Sequence, residues 1–307
     1  MSAEAAGPAP AESPLAPLFV DSKGREVAVP DFGGEMIADT HAHLDMLEDP
    51  GLALARAALA GVGFIATVAD VTEDAWRTYE ELPSWLSNAR ELLDAAGQAD
   101  RAVPIVRVVL GAHPHNAKEW GPEAEEELRR LAADPRTCAV GEMGLDYHYD
   151  HSPRDVQRAA FRAHIGLAAE FGLPGVVHLR EAHEGGAAIL ADAGSVPAGF
   201  ILHCFNLDAD AMRPFLELGC HVSFAGPVTF KKAGEVRESA AVVPAGRLLT
   251  ETDSPFMAPE PFRGRPCEPA LVSFTAARVA EARSQEPAAF ARETYASAIS
   301  LLDRERR

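Results

Sequence analysis

From about residue 36 the chain alternates short apolar runs with stretches of helical periodicity. β-rich runs fall at 36–39, 62–68, 103–110, 138–140, 175–177, 200–202, 221–224 and 247–249. Between them, apolar residues recurring every three or four positions predict helices at 51–60, 73–97 with a break at Pro83, 121–133, 153–171, 183–193 and 208–218. A less marked helical pattern covers 230–243, and two more helices, 268–283 and 287–303, follow the last run. Eight strands each followed by helical material predict an α/β fold, a closed parallel TIM-type (β/α)8 barrel in one domain. An open doubly wound sheet is the runner-up, but no GxGxxG or GxxxxGK[ST] loop supports it. Residues 1–17, rich in Ala and Pro, read as a disordered tail, and 18–30 as a short hairpin around Asp21-Ser22-Lys23-Gly24. The expected division is thus a tail over 1–33 and a barrel over 34–307.

Several runs end directly in side chains that can bind a metal. Ile37-Ala38-Asp39-Thr40-His41-Ala42-His43 is the first, and alternation along a strand lets His41 and His43 face the same way. Others end in Glu142, His178, His203 and Asp253. The intervals between them match one, one and two βα steps after Glu142, and three before it, at about 30 residues per step. All six residues then fall at the C-terminal ends of the first, fourth, fifth, sixth and eighth strands, the rim where barrel enzymes place their active sites. A single histidine or acid after a strand is usually structural or a helix cap. Six at one rim point instead to a divalent ion of borderline character, such as Zn, Mn, Fe, Co or Ni. Six ligands exceed one tetrahedral site, so two ions sharing a carboxylate are expected.

Composition narrows the partners. The 307 residues carry 28 Lys plus Arg against 46 Asp plus Glu, a formal charge of −18, with only four lysines. Such a chain is a poor candidate for coating long duplex DNA. Cys138, Cys204, Cys220 and Cys267 form no CxxC pair and read as reduced thiols. With no apolar leader or membrane-length run, a cytoplasmic protein is expected. No protein partner can be inferred.

The motifs Asp39-Thr40-His41-Ala42-His43-Leu44-Asp45, Gly111-Ala112-His113-Pro114-His115 and Gly141-Glu142-Met143-Gly144-Leu145-Asp146-Tyr147 form an ordered set. Val177-His178-Leu179-Arg180, His203-Cys204-Phe205 and Glu251-Thr252-Asp253-Ser254-Pro255 complete it. Over about residues 36–270 the chain resembles the TatD family of metal-dependent hydrolases, within the amidohydrolase-like barrel enzymes. The resemblance implies two divalent cations (Mg also being admissible) and phosphodiester hydrolysis, typically as a deoxyribonuclease. It implies that His41 and His43 bind the first ion, Glu142 bridges, and His178 and His203 bind the second. Asp253 would coordinate the first ion and handle the proton of the attacking water. His113, His115 and Arg180 are candidate substrate contacts. The chain departs from the family pattern at Asn206-Leu207, Glu181 and Cys267, changes that spare the ligands but touch the rim that contacts substrate. The expected substrate is DNA, as single strands or ends. The alternative is a small-molecule amidohydrolase or lactonase built on the same centre, which the acidic charge favours.

Overall fold

Eight parallel strands run in sequence order around one sheet: β1 (Ile37–Ala42), β2 (Val62–Asp70), β3 (Ile105–Gly111), β4 (Thr137–Asp146), β5 (Gly175–Arg180), β6 (Phe200–Leu202), β7 (His221–Phe224) and β8 (Leu248–Thr250). The computed structural model describes residues 15–303 except Ala16, Ser22 and Ser195. Helices α1 (Pro50–Leu59), α2 (Ala75–Ala95), α3 (Pro122–Ala132), α4 (Arg154–Phe171), α5 (His183–Ala193), α6 (Ala209–Glu217) and α7 (Gly234–Val242) return between strands. Helices α8 (Val272–Ala282) and α9 (Pro287–Leu302) follow β8. This is the TIM-type barrel that the alternation predicted.

β8 is short, and the seam to β1 is closed mainly by side chains and by the residues just beyond β8. Thr40 Oγ1 donates to the Thr250 carbonyl and Thr250 Oγ1 to that of Ala38, each at 3.2 Å. Asp253 N donates to the His41 carbonyl and His43 N to that of Ser254, each at 2.8 Å. Buried Asp39 completes the seam, taking the Thr252 amide at 2.8 Å and its hydroxyl at 2.6 Å.

Alternation along the strands sorts apolar packing from chemistry. Phe64, Ala66, Val68, Val109, Val176, Ile201 and Leu249 form one apolar cluster, joined by Ala298, Leu301 and Leu302 of α9. Val176, Ile201 and Leu249 each stand two residues before a polar strand-end residue: His178, His203 and Glu251. With a period of two, the face that packs the cluster also carries the polar rim. β3 and β4 come very close beneath that rim. A Cβ on Gly111 would lie 2.6 Å from the Gly141 backbone, and one on Gly141 2.6 Å from the Val176 carbonyl. Only glycine fits there, immediately before Glu142.

The structure corrects three expectations. α2 is one continuous helix through Pro83. The carbonyl that Pro83 leaves without its helical donor, that of Tyr79, accepts from Arg136 Nη1 at 2.7 Å, so the usual penalty is offset from outside the helix. β4 extends to Asp146, six residues beyond the apolar run, and is buried throughout. Described residues ahead of β1 also join the barrel packing. Leu15, Phe19 and Phe32 are buried in the main core, with Phe19 against Phe262 and Phe274 at 5.6 and 5.1 Å between ring centroids. Within this segment Val20 and Glu26 form one antiparallel bridge. Residues 1–14 of the expected tail lie outside the described residues.

His164, on the buried face of α4, fixes the loop after β3. Its Nε2 accepts from Ala112 N at 3.0 Å while Nδ1 donates to the Ala160 carbonyl at 2.8 Å, which defines a neutral ring. Burial pushes its pKa down to about 4. Between pH 6.5 and 4 the unfolded chain takes up a proton that the folded ring refuses, so stability falls as pH falls through that window, by on the order of 3 kcal/mol. His164→Gln, which cannot titrate, should be less stable than wild type at pH 7, and that difference should narrow towards pH 4.5. Urea unfolding of both chains across this range checks it; a constant difference would show that the ring is not held neutral.

Candidate metal centre

Glu142 is the focus of the rim. It is 3% exposed, and its two oxygens face different partners. Oε1 lies 2.7 Å from His178 Nδ1, 2.8 Å from His203 Nε2 and 3.4 Å from His113 Nε2. Oε2 lies 3.2 Å from His41 Nε2 and 3.9 Å from His43 Nε2. Asp253 Oδ1 joins the second group, 3.6 Å from His43 Nε2 and 3.9 Å from His41 Nε2. The six residues read from strand ends therefore converge, from β1, β4 and β5 and from the residues following β6 and β8.

Burial presses Glu142 towards its neutral form, but the imidazoles of His203, His113 and His41 outweigh it and hold the carboxylate well below its usual range. Burial likewise opposes a charged Asp253, yet the His43 hydrogen bond and the imidazoles of His203 and His41 keep its pKa low. His203 is shifted the other way: against burial, Glu142 and then Glu251 raise its pKa well above the ordinary value. Burial, followed by the nearby His203, lowers that of His41.

The donor set fits a divalent cation. Three groups, His41/Glu142/His203, His41/His43/Asp253 and His113/Glu142/His178, each offer three ligand atoms within 4.8 Å of one another. His178 Nδ1 and His203 Nε2 lie 3.1 Å apart and both face Glu142 Oε1, at 2.7 and 2.8 Å. Among the described residues buried His41 Nδ1 has no hydrogen-bond partner, and His203 Nδ1 has only the 3.4 Å approach of Glu251.

Residues that the sequence reading left unassigned hold this set in place. Asp146, at the end of β4, takes His115 Nε2 at 2.8 Å and approaches His178 Nε2 at 3.4 Å, leaving His178 Nδ1 to face Glu142. Glu251 accepts the Cys204 amide at 2.5 Å and lies 3.4 Å from His203 Nδ1. Asp70 accepts the His113 amide at 3.0 Å. Asp70 and Glu251 stand two residues past apolar runs, as Glu142 does, but a helix-capping acid gives that signal too, and Asp146 lies six residues past its run. Asp253 and Cys204 adopt left-handed backbone, φ 59° and 48°, at a cost of about 1–3 kcal/mol each. The Asp253–His41 and Cys204–Glu251 hydrogen bonds hold them there.

The three expected substrate contacts differ in placement. His113 Nδ1 accepts from His115 N at 3.2 Å, so its Nε2 carries the proton of the neutral ring and donates towards Glu142. His115 is turned onto Asp146. Arg180 places its guanidinium 4.6 Å over the Tyr149 ring, and among the described residues no hydrogen bond or ion pair engages it. All three line a cleft of about 490 Å³ above Glu142.

A (β/α)8 barrel that gathers imidazoles and carboxylates around one buried glutamate at its C-terminal rim defines a metal-dependent hydrolase. Residues 38–303 match the family described as TatD related DNase. The metal-dependent hydrolase YabD of Bacillus subtilis is 35% identical over 246 residues, 80% of this chain and 91% of that protein. The 3'-5' ssDNA/RNA exonuclease TatD of Erwinia billingiae is 36% identical over 220 residues, 70% of this chain and 84% of that protein. The crystal structure of the TatD homologue YJJV from Escherichia coli K12 superposes with a TM-score of 0.73 at 27% identity, covering 87% of this chain and 98% of that one. The chain belongs to the TatD-related DNase family.

Removing Asp146 should loosen His178 without removing a ligand. Asp146→Ala is expected to weaken divalent-ion retention about 10–100-fold, read by competition with a chelator. Wild-type retention would show that Asp146 serves only the local turn.

Proposed function

We propose that this chain is a nuclease that hydrolyses phosphodiester bonds in single-stranded DNA or at DNA ends, using two divalent cations. His41, His43 and Asp253 would hold one ion, His178 and His203 the other, with Glu142 shared between them. The division of the Glu142 oxygens between two imidazole groups carries this reading. The name of the Erwinia billingiae relative, an exonuclease on single-stranded DNA and RNA, supports the substrate class.

Divalent cations held there would supply positive charge for the phosphate oxygens and would make the attacking water more acidic. Asp253, kept ionised by its imidazole neighbours, accepts the proton of the attacking water. Arg180, whose guanidinium no described residue hydrogen-bonds, takes a phosphate oxygen pair, and Tyr149 aims it by a cation–π contact. His113 offers an Nε2 proton 3.4 Å from Glu142 Oε1. The formal charge of −18, together with Asp45, Asp70 and Glu73 on the cleft wall, discourages long duplexes, so attraction is confined to the centre. The same charge is what favours the amidohydrolase or lactonase alternative. Among the described residues no helix is long and apolar enough to cross a membrane.

Elemental analysis after reconstitution with Zn or Mn should give close to two ions per chain; one or fewer sinks the binuclear reading. The reconstituted protein should cleave single strands in preference to blunt duplex, and should outpace its own rate on a panel of amides and lactones. Tight duplex binding with a steep salt dependence would contradict the electrostatic argument. Asp253→Asn keeps the size and one ligand oxygen, so a folded, metal-loaded variant should turn over about 10²–10⁴-fold more slowly. Near-normal turnover would falsify the proton-accepting role.

A further inference from the structure

Eight large hydrophobic side chains are exposed among the described residues, and four of them, Met46, Tyr149, Phe256 and Met257, line the cleft above Glu142. Protein surfaces scatter such side chains singly, and their gathering at one mouth marks a binding surface. The four divide into two kinds. Tyr149, on the His115 side, stacks on His151 at 5.6 Å and 5° and lies beneath the Arg180 guanidinium. Its ring is occupied.

Phe256 stands on the other side. It is 52% exposed, and among the described residues its ring contact is an edge-on approach to His43, at 6.1 Å and 75°. It lies three residues past Asp253, in a turn where Phe256 N donates to the Asp253 carbonyl at 2.8 Å. Met46 and Met257 are 49% and 37% exposed on the same cleft. The loop is braced: Cys267 N donates to the Pro255 carbonyl at 2.9 Å, and the buried Phe262 packs on Phe19 and Phe274. An ordered, half-exposed aromatic ring beside the candidate ligands serves no packing purpose that a smaller side chain would not.

The cleft is therefore polar at one wall, where Arg180 waits for an anion, and apolar and aromatic at another, with Glu142 and Asp253 between. A nucleotide has the same division into phosphate and π-faced base. We propose that Phe256, with Met46 and Met257 on the same cleft, is the stacking platform for the nucleobase on one side of the scissile bond. This rests on the nuclease reading above and adds how the substrate is selected. Stacking tolerates any base, because every base has a π-face, but it needs an unpaired one. Phe256 is in this way a specificity residue for unpaired strands.

The test uses the full-length metal-loaded protein and a short oligothymidylate, beside the same oligonucleotide with an abasic tetrahydrofuran residue at either nucleotide flanking the first scissile bond. Wild type should lose about 5- to 150-fold in kcat/KM on one of the two abasic substrates, the equivalent of one stacked base. Phe256→Ala should cleave the intact oligonucleotide more slowly by a similar factor, mostly through KM, and should no longer distinguish that abasic substrate. Phe256→Tyr should restore the discrimination. Metal content equal to wild type would confirm that the ligand set is undisturbed. Should Phe256→Ala retain the full wild-type discrimination, or wild type cleave all substrates equally, the platform is refuted while the nuclease reading stands. Should the wild type cleave none of them, the nuclease reading falls, and this inference with it.

Discussion

A carboxylate that is nearly withdrawn from water and still ionised requires compensation from every side. Glu142 has that requirement. Burying an isolated charge is costly enough that the group ordinarily neutralises instead. Here imidazoles from β1 and β5, and from the residues after β3 and β6, approach its two oxygens, and its pKa falls rather than rises. The surrounding design follows from this arrangement. Glycines at 111 and 141 let β3 and β4 close beneath Glu142, and Asp146 and Glu251 turn His178 and His203 towards it. The left-handed residues Cys204 and Asp253 carry the chain away without spoiling the approach.

Much of this was legible because barrel strands advertise their ends. An apolar run that stops at a histidine or an acid is a short-range signal, and β6 and β7 begin and end where hydropathy placed them. The same signal could not rank the acids. Asp39, Asp70 and Asp146 follow Ala38, Ala69 and Leu145, Glu251 follows Thr250, and all four resemble helix caps until their partners appear. The second half of β4 was hidden for a related reason, since Gly-Glu-Met-Gly has no apolar alternation although each residue is buried. Long-range compensation was also invisible: the guanidinium that lets α2 pass through Pro83 is 53 residues away from it. Likewise, nothing local in an Ala- and Pro-rich stretch shows that Leu15 and Phe19 reach the core.

The cleft combines a local cation-binding chemistry with an acidic molecule. Few of its groups are free to attract an anion at a distance, and Arg180 alone among the named wall residues carries fixed positive charge. Recognition then depends on contact rather than on steering. An aromatic ledge on a braced loop suits such a site, because dispersion and stacking act only at van der Waals range.

The seam between β1 and β8 joins segments more than 200 residues apart, and His41, His43 and Asp253 all lie on it. During synthesis, His41 and His43 emerge among the first strands, while Asp253 arrives only after all eight have been made. Loop-closure entropy delays such a contact until the rest of the barrel holds the two edges together. A chain interrupted before the last strand can therefore hold Glu142, His178 and His203 but lacks the acid on its open edge. On the role proposed for Asp253, hydrolytic competence would be a property of the finished molecule, withheld from the growing chain by the order in which its parts are made.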